Sequence, residues 1–109
     1  MRFSSVMFAT CSAVALLVTS EPVFSEPSGS PTTLGEVRAY KKSVGVSYIY
    51  TTSQNVCGTN MFEISNDDKG VLATALTAIA LGKQVTIEAN GCGSGGGGVT
   101  QVQSLYIHQ

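Results

Sequence analysis

This chain is short of the residues on which most catalysts, metal proteins and nucleic-acid binders depend. Of 109 residues none is tryptophan, one is histidine, and only 12% are charged. The lone histidine, His108, sits one residue from the end, where fraying is expected, so it offers no base to a nucleophile and no metal cluster. Lys and Arg total 6 against 7 Asp and Glu, a formal net charge of −1, which excludes the basic groove a nucleic-acid binder needs. The 3 cysteines include no Cys-x-x-Cys pair, which argues against a redox or zinc motif. Gly82-Lys83 lacks the preceding glycine-rich loop and following Ser/Thr of a phosphate cradle. Asp67 and Asp68 are adjacent and suit a helix start better than paired acid–base work. No enzyme, cofactor or metal is therefore expected.

What is present begins with an export leader over residues 1–25. Arg2 gives a positive start, Val6 to Val18 is an almost unbroken apolar run, and Val23-Phe24-Ser25 ends in the small residue that signal peptidase prefers. Cleavage is expected after Ser25, with Ser20 the alternative. A retained anchor is the competing reading, but the run falls short of the roughly 20 apolar residues of a membrane helix. Cys11 lies inside the leader without the usual lipoprotein pattern around it. The expected location is secreted or periplasmic, with no membrane contact after cleavage. Cys57 and Cys92 then remain, an even number in an oxidising compartment, and the default is one disulfide contributing about 3–4 kcal/mol. A metal or redox pair is the alternative.

Residues 26–33, rich in Pro, Ser, Thr and Gly, read as a disordered mature N-terminus, and residues 34–109 as one domain. Leu34 to Thr52 reads as two strands broken somewhere from Tyr40 to Gly45, or as one long bulged strand. Met61 to Ser65 is a third strand. Asn66-Asp67-Asp68 offers N-cap oxygens to a helix over Lys69 to Leu81, with Leu72, Ala75, Leu76, Ile79 and Ala80 on one buried stripe and Gly82 as the stop. Gln84 to Ala89 alternates, with Val85, Ile87 and Ala89 inward and Gln84, Thr86 and Glu88 outward. Gly91 to Gly98 reads as a flexible loop. Val99 to Ile107 is the last strand, and its change of parity predicts a bulge near Gln103 or Ser104. The order β-β-β-α-β-β is that of an OB-fold, a five-stranded Greek-key barrel. Its expected core is Phe62, Ile64, Leu72, Leu76, Ile79, Val85, Ile87, Leu105 and Ile107.

The stretch Cys57…Met61-Phe62-Glu63-Ile64…Leu72 to Ala78…Leu81-Gly82-Lys83-Gln84-Val85-Thr86-Ile87…Cys92…Leu105-Tyr106-Ile107 resembles a family of small exported bacterial proteins. These look related to the receptor-binding B subunits of subtilase-cytotoxin-like and pertussis-like toxins. The likeness runs from Cys57 to Ile107. It implies an OB-fold, a pentameric ring in the toxin members and glycan binding on the ring surface; many members have no assigned function. This chain differs from the toxins in its Gly95–Gly98 run and its lack of tryptophan.

For a ligand, Tyr40, Tyr48, Tyr50 and Tyr106 are amphipathic rings able to stack on sugar faces while offering a hydroxyl. Tyr40, Tyr48 and Tyr50, with Lys42, Ser43 and Ser47 nearby, form the expected binding patch on the first hairpin. The alternative is that half of these tyrosines fill the interior or a subunit interface. The expected partner is a glycan, or else a protein of the cell envelope bound in a structural or inhibitor-like role. A homo-oligomer, pentameric on the toxin-like reading, is also expected.

Overall fold

A computed structural model describes residues 27–109. The expected leader lies outside the described residues, so neither it nor its cleavage site is tested. Five strands and one helix follow in the expected order: β1 (Thr32–Arg38), β2 (Val46–Thr51), β3 (Met61–Ser65), α1 (Lys69–Leu81), β4 (Gln84–Ala89) and β5 (Thr100–Ile107). Short 3-10 turns occupy Lys42–Val44, Val56–Gly58 and Gly96–Gly98.

The strands form one mixed sheet that closes in a ring, in the order β1-β2-β3-β5-β4 and back to β1. β4 returns to β1 through Thr32↔Val85 and Thr33↔Gln84. All pairings are antiparallel except β3 with β5, which run parallel through Phe62↔Thr100 and Glu63↔Gln101.

Two extra residues set which side chains face inward. On β1, Leu34 pairs with Thr51 and Glu36 with Tyr50, leaving Gly35 as the additional residue. Leu34 and Val37 therefore both turn to the core, while Glu36 and Arg38 turn outward and are exposed. On β5, Glu88↔Ser104 is followed by Ala89↔Val102, so Gln103 is the extra residue, at the expected bulge. Val102 and Leu105 can then both be buried.

The segment 27–33, read from composition as disordered, is tied to the sheet. The Ala89 N–H donates to the Pro27 carbonyl at 2.8 Å and the Gly29 N–H to the Ile87 carbonyl at 3.1 Å. Ser28 bridges Glu88, and β1 starts at Thr32. The backbone of β4 offers this segment partners that its side chains do not announce. His108 is likewise not frayed: its N–H donates to the Gln84 carbonyl at 2.8 Å, and its Nε2 lies 2.6 Å from Thr86 Oγ1.

The helix has the expected bounds but a different phase. Gly82 adopts the left-handed conformation, φ 63°, and its N–H reaches the Ala78 and Ile79 carbonyls, which stops the helix. At the other end Asp68 makes no side-chain cap; Asn66 points inward instead. Ala75 and Ala78 are the buried residues, flanked by partly buried Val71, Leu72 and Ile79, while Leu76 is 44% and Leu81 63% exposed. Leu76 therefore leaves the expected core. From Val71 to Leu81 only Thr74 and Thr77 interrupt an otherwise apolar helix, too few to let periodicity set its rotation. Its alanine face meets the sheet, packing against β1, β5 and β3.

Phe62, Ile49, Ile64, Ile87, Val85 and Val102 fill the interior, each less than 2% exposed. Leu105 completes the wall, and Ile107 is partly buried against it. Cys57 and Cys92 form the expected disulfide, joining the turn before β3 to the residues after β4, with Cα atoms 5.5 Å apart.

Candidate functional site

The outer face of β1, β2 and β3 gathers the polar and aromatic side chains. On β2, Ser47, Ile49 and Thr51 are buried and alternate with half-exposed Tyr48 and Tyr50. Cross-strand register sets Arg38 beside Tyr48, Tyr48 beside Glu63, and Glu63 beside Gln101. One outward row thus runs across four strands as Arg38–Tyr48–Glu63–Gln101. The next row is Glu36–Tyr50–Met61.

Within these rows the groups hold one another. The Arg38 guanidinium lies 5.3 Å from the Tyr50 ring centroid and forms an ion pair with Glu36. The hydrogen bond that Arg38 donates to Glu36, and then the Glu36 charge, raise the Arg38 pKa above its ordinary value, with Tyr50 and Tyr40 adding to the shift. Tyr40, 43% exposed, meets Tyr48 edge to face at 6.1 Å. Arginine, a carboxylate and phenol hydroxyls surrounding ring faces make a surface that can stack on a flat ligand and hydrogen-bond its rim.

The residues expected to bind are divided by this geometry. Tyr40, Tyr48 and Tyr50 come together on the outer face. Lys42 and Ser43 lie in the exposed 3-10 turn between β1 and β2. Ser47 points the other way and is fully buried; its hydroxyl donates to Asn66 Oδ1 at 2.6 Å and accepts the Tyr40 N–H at 2.9 Å. Asn66 in turn donates to the Lys41 carbonyl at 2.9 Å. Ser47 is thus a clasp for the hairpin, not a ligand contact. Ser47→Ala should lower stability by about 1–3 kcal/mol, because buried Asn66 Oδ1 and the partly buried Tyr40 N–H lose their partner; chemical denaturation reads the loss, and ligand affinity at the outer face should not change.

Glu36, Arg38 and Glu63 were missed as site residues. Alternation with Val37 places Glu36 and Arg38 on one face, but which tyrosines they meet depends on the extra residue at Gly35. Glu63 is 5% exposed although it points outward, because the glycine-rich segment lies over it.

Two other polar features flank this face. An open pocket of about 330 Å³ separates Ser28–Pro31 from Ser53–Val56. Asn55 bridges its walls, donating from Nδ2 to the Ser30 carbonyl at 2.8 Å, while its buried Oδ1 has no partner. On the outside of β4 and β5, the Ser104 hydroxyl donates to Glu88 Oε1 at 2.5 Å. Hydrogen bonds from Ser104 and Tyr106 lower the Glu88 pKa, and the bond to Glu88 raises that of Tyr106. Ser104 and His108 belong to separate hydrogen-bonded pairs, so this cluster has no serine–histidine relay.

Among the described residues no group of three or more His, Cys, Asp or Glu could hold a metal ion, and no helix is long and apolar enough to cross a membrane. No family model matches the chain, and neither a curated protein nor a solved structure matches it.

Proposed function

We propose that this protein is a secreted or periplasmic, non-catalytic carbohydrate-binding module with an OB-fold, akin to the toxin B subunits it resembles. The ring order β1-β2-β3-β5-β4, the parallel β3–β5 contact and the helix between β3 and β4 support the OB-fold reading. A disulfide between Cys57 and Cys92 supports an oxidising location.

The observation that carries the binding reading is the outward row of Arg38 and Tyr48 with Tyr40, Tyr50 and Glu36 around it. Tyrosine gives ring area at little conformational cost, and a guanidinium–carboxylate pair supplies donors and acceptors for sugar hydroxyls. The test is a glycan array followed by calorimetry on protein exported from a host that expresses the full chain. Tyr48→Ala and Arg38→Ala should each weaken binding by about tenfold or more, with little change in far-UV dichroism. No glycan above background would overturn the reading.

A second reading, an envelope protein that binds another protein or copies of itself, is favoured by one observation. Leu76 and Leu81, at 44% and 63% exposure, leave an apolar outer face on α1. Sedimentation separates the readings: a pentamer supports the toxin-like arrangement, and a stable complex with an envelope protein supports the alternative.

A further inference from the structure

We propose that Glu63 determines ligand specificity at the tyrosine row, and that the glycine segment above it opens to admit an amine-bearing sugar and excludes acidic ones. This inference rests on the carbohydrate-binding reading. Glu63 sits in the row between Tyr48 and Gln101, yet it is only 5% exposed. What covers it is backbone. The Gly96 N–H donates to Oε1 at 3.2 Å, and a Cβ added at Gly95 would stand 2.6 Å from Oε2 and 2.8 Å from Cδ. Only glycine can approach the carboxylate so closely.

That carboxylate has acceptor capacity to spare. A carboxylate offers about four acceptor sites across its two oxygens, and among the described residues a single backbone N–H reaches it. Among the described residues no cation pairs with it; Arg38, in the same row, is engaged by Glu36. Its Oε2 is not a buried orphan, so acceptor sites stay open, and an ammonium group with adjacent hydroxyls would fill them better than one glycine amide.

The cover is built to lift. Its base is fixed by the Cys92 disulfide, by the Gly93 N–H to Thr100 Oγ1 at 3.1 Å, and by the Gln101 N–H to Ser94 Oγ at 3.1 Å. Beyond Ser94, the Gly95 N–H to the Val99 carbonyl and the Val99 N–H to the Gly96 carbonyl stay within the segment. Among the described residues, exposed Gly96–Gly98 is therefore hydrogen-bonded to the rest of the sheet through Glu63, and raising it breaks that tie. An acidic sugar would bring its carboxylate against Glu63 while the row's arginine is already paired.

Calorimetry with chitosan oligosaccharide, its N-acetylated form and sialyllactose tests this, alongside hydrogen exchange at the loop amides. The amine-bearing oligosaccharide should bind best and sialyllactose worst. Glu63→Gln, which keeps an acceptor for Gly96, should cut affinity for the amine-bearing sugar about tenfold and leave the N-acetylated form within about twofold of wild type. Exchange at Gly96 should quicken on binding. Equal or tighter binding of sialyllactose overturns the inference, as does a Glu63→Gln profile unchanged while Tyr48→Ala abolishes binding; in both cases the carbohydrate reading survives. Unchanged exchange at Gly96 in the complex overturns the opening. Absence of binding to any sugar overturns inference and reading together.

Discussion

Phe62→Ala should destabilise the fold by about 3–5 kcal/mol, enough to leave much of the protein unfolded at ambient temperature. Phe62 is the largest side chain among those fully buried, and it stands on β3, which pairs with β2 on one side and β5 on the other. Removing the ring takes away transfer energy and leaves a void at the centre of the closed sheet, where helix and strands cannot all collapse inward. Urea denaturation followed by far-UV dichroism measures the loss. Leu76→Ala is the internal control: a residue 44% exposed on the outer side of α1 should change stability by less than about 1 kcal/mol. A reversal of these two results would mean that the helix presents its other side to the sheet.

Replacing both Cys57 and Cys92 with serine should lower stability by about 3–4 kcal/mol, the loop-closure entropy for the sequence separation of 35. For a domain of this size that is a fall in Tm on the order of 20 °C. The bridge encloses β3, α1 and β4, and the chain between its ends carries most of the interior. Calorimetry of oxidised and reduced protein gives the difference directly. Hydrogen exchange should show the first loss of protection over Gly93–Gly98, which would have lost its fixed origin at Cys92. Two free thiols in the purified protein, with no fall in Tm on substitution, would remove the bridge from the account.

Element order and helix bounds were legible because each has a local cause, and the cysteine pairing because only two cysteines remain after the expected leader. Gly82 ends the helix by its own conformation, and a change of parity in Val102, Leu105 and Ile107 can only be absorbed by an extra residue, here Gln103. The rotation of α1 was not legible, since apolar residues broken only by Thr74 and Thr77 carry a weak phase. The inward turn of Ser47 was hidden for a related reason. In the run from Val46 to Thr51 the bulky rings lie on one parity and Ser47, Ile49 and Thr51 on the other; size favours the narrow interior for the smaller set, against the hydrophobicity of tyrosine. The candidate site itself depends on Gly35, whose extra place in β1 puts Arg38 opposite Tyr48. Nothing in composition announces a bulge there. The cover on Glu63 was equally out of reach, because a glycine run reads as freedom until its backbone finds a partner.

Because β4 pairs with β1, the sheet has no first or last strand. Among the described residues a stray peptide in extended form therefore meets no strand whose whole edge is free, which limits templated aggregation of a strand-rich chain. A partner, or a second copy, is therefore held more readily by side chains and loops than by an added strand.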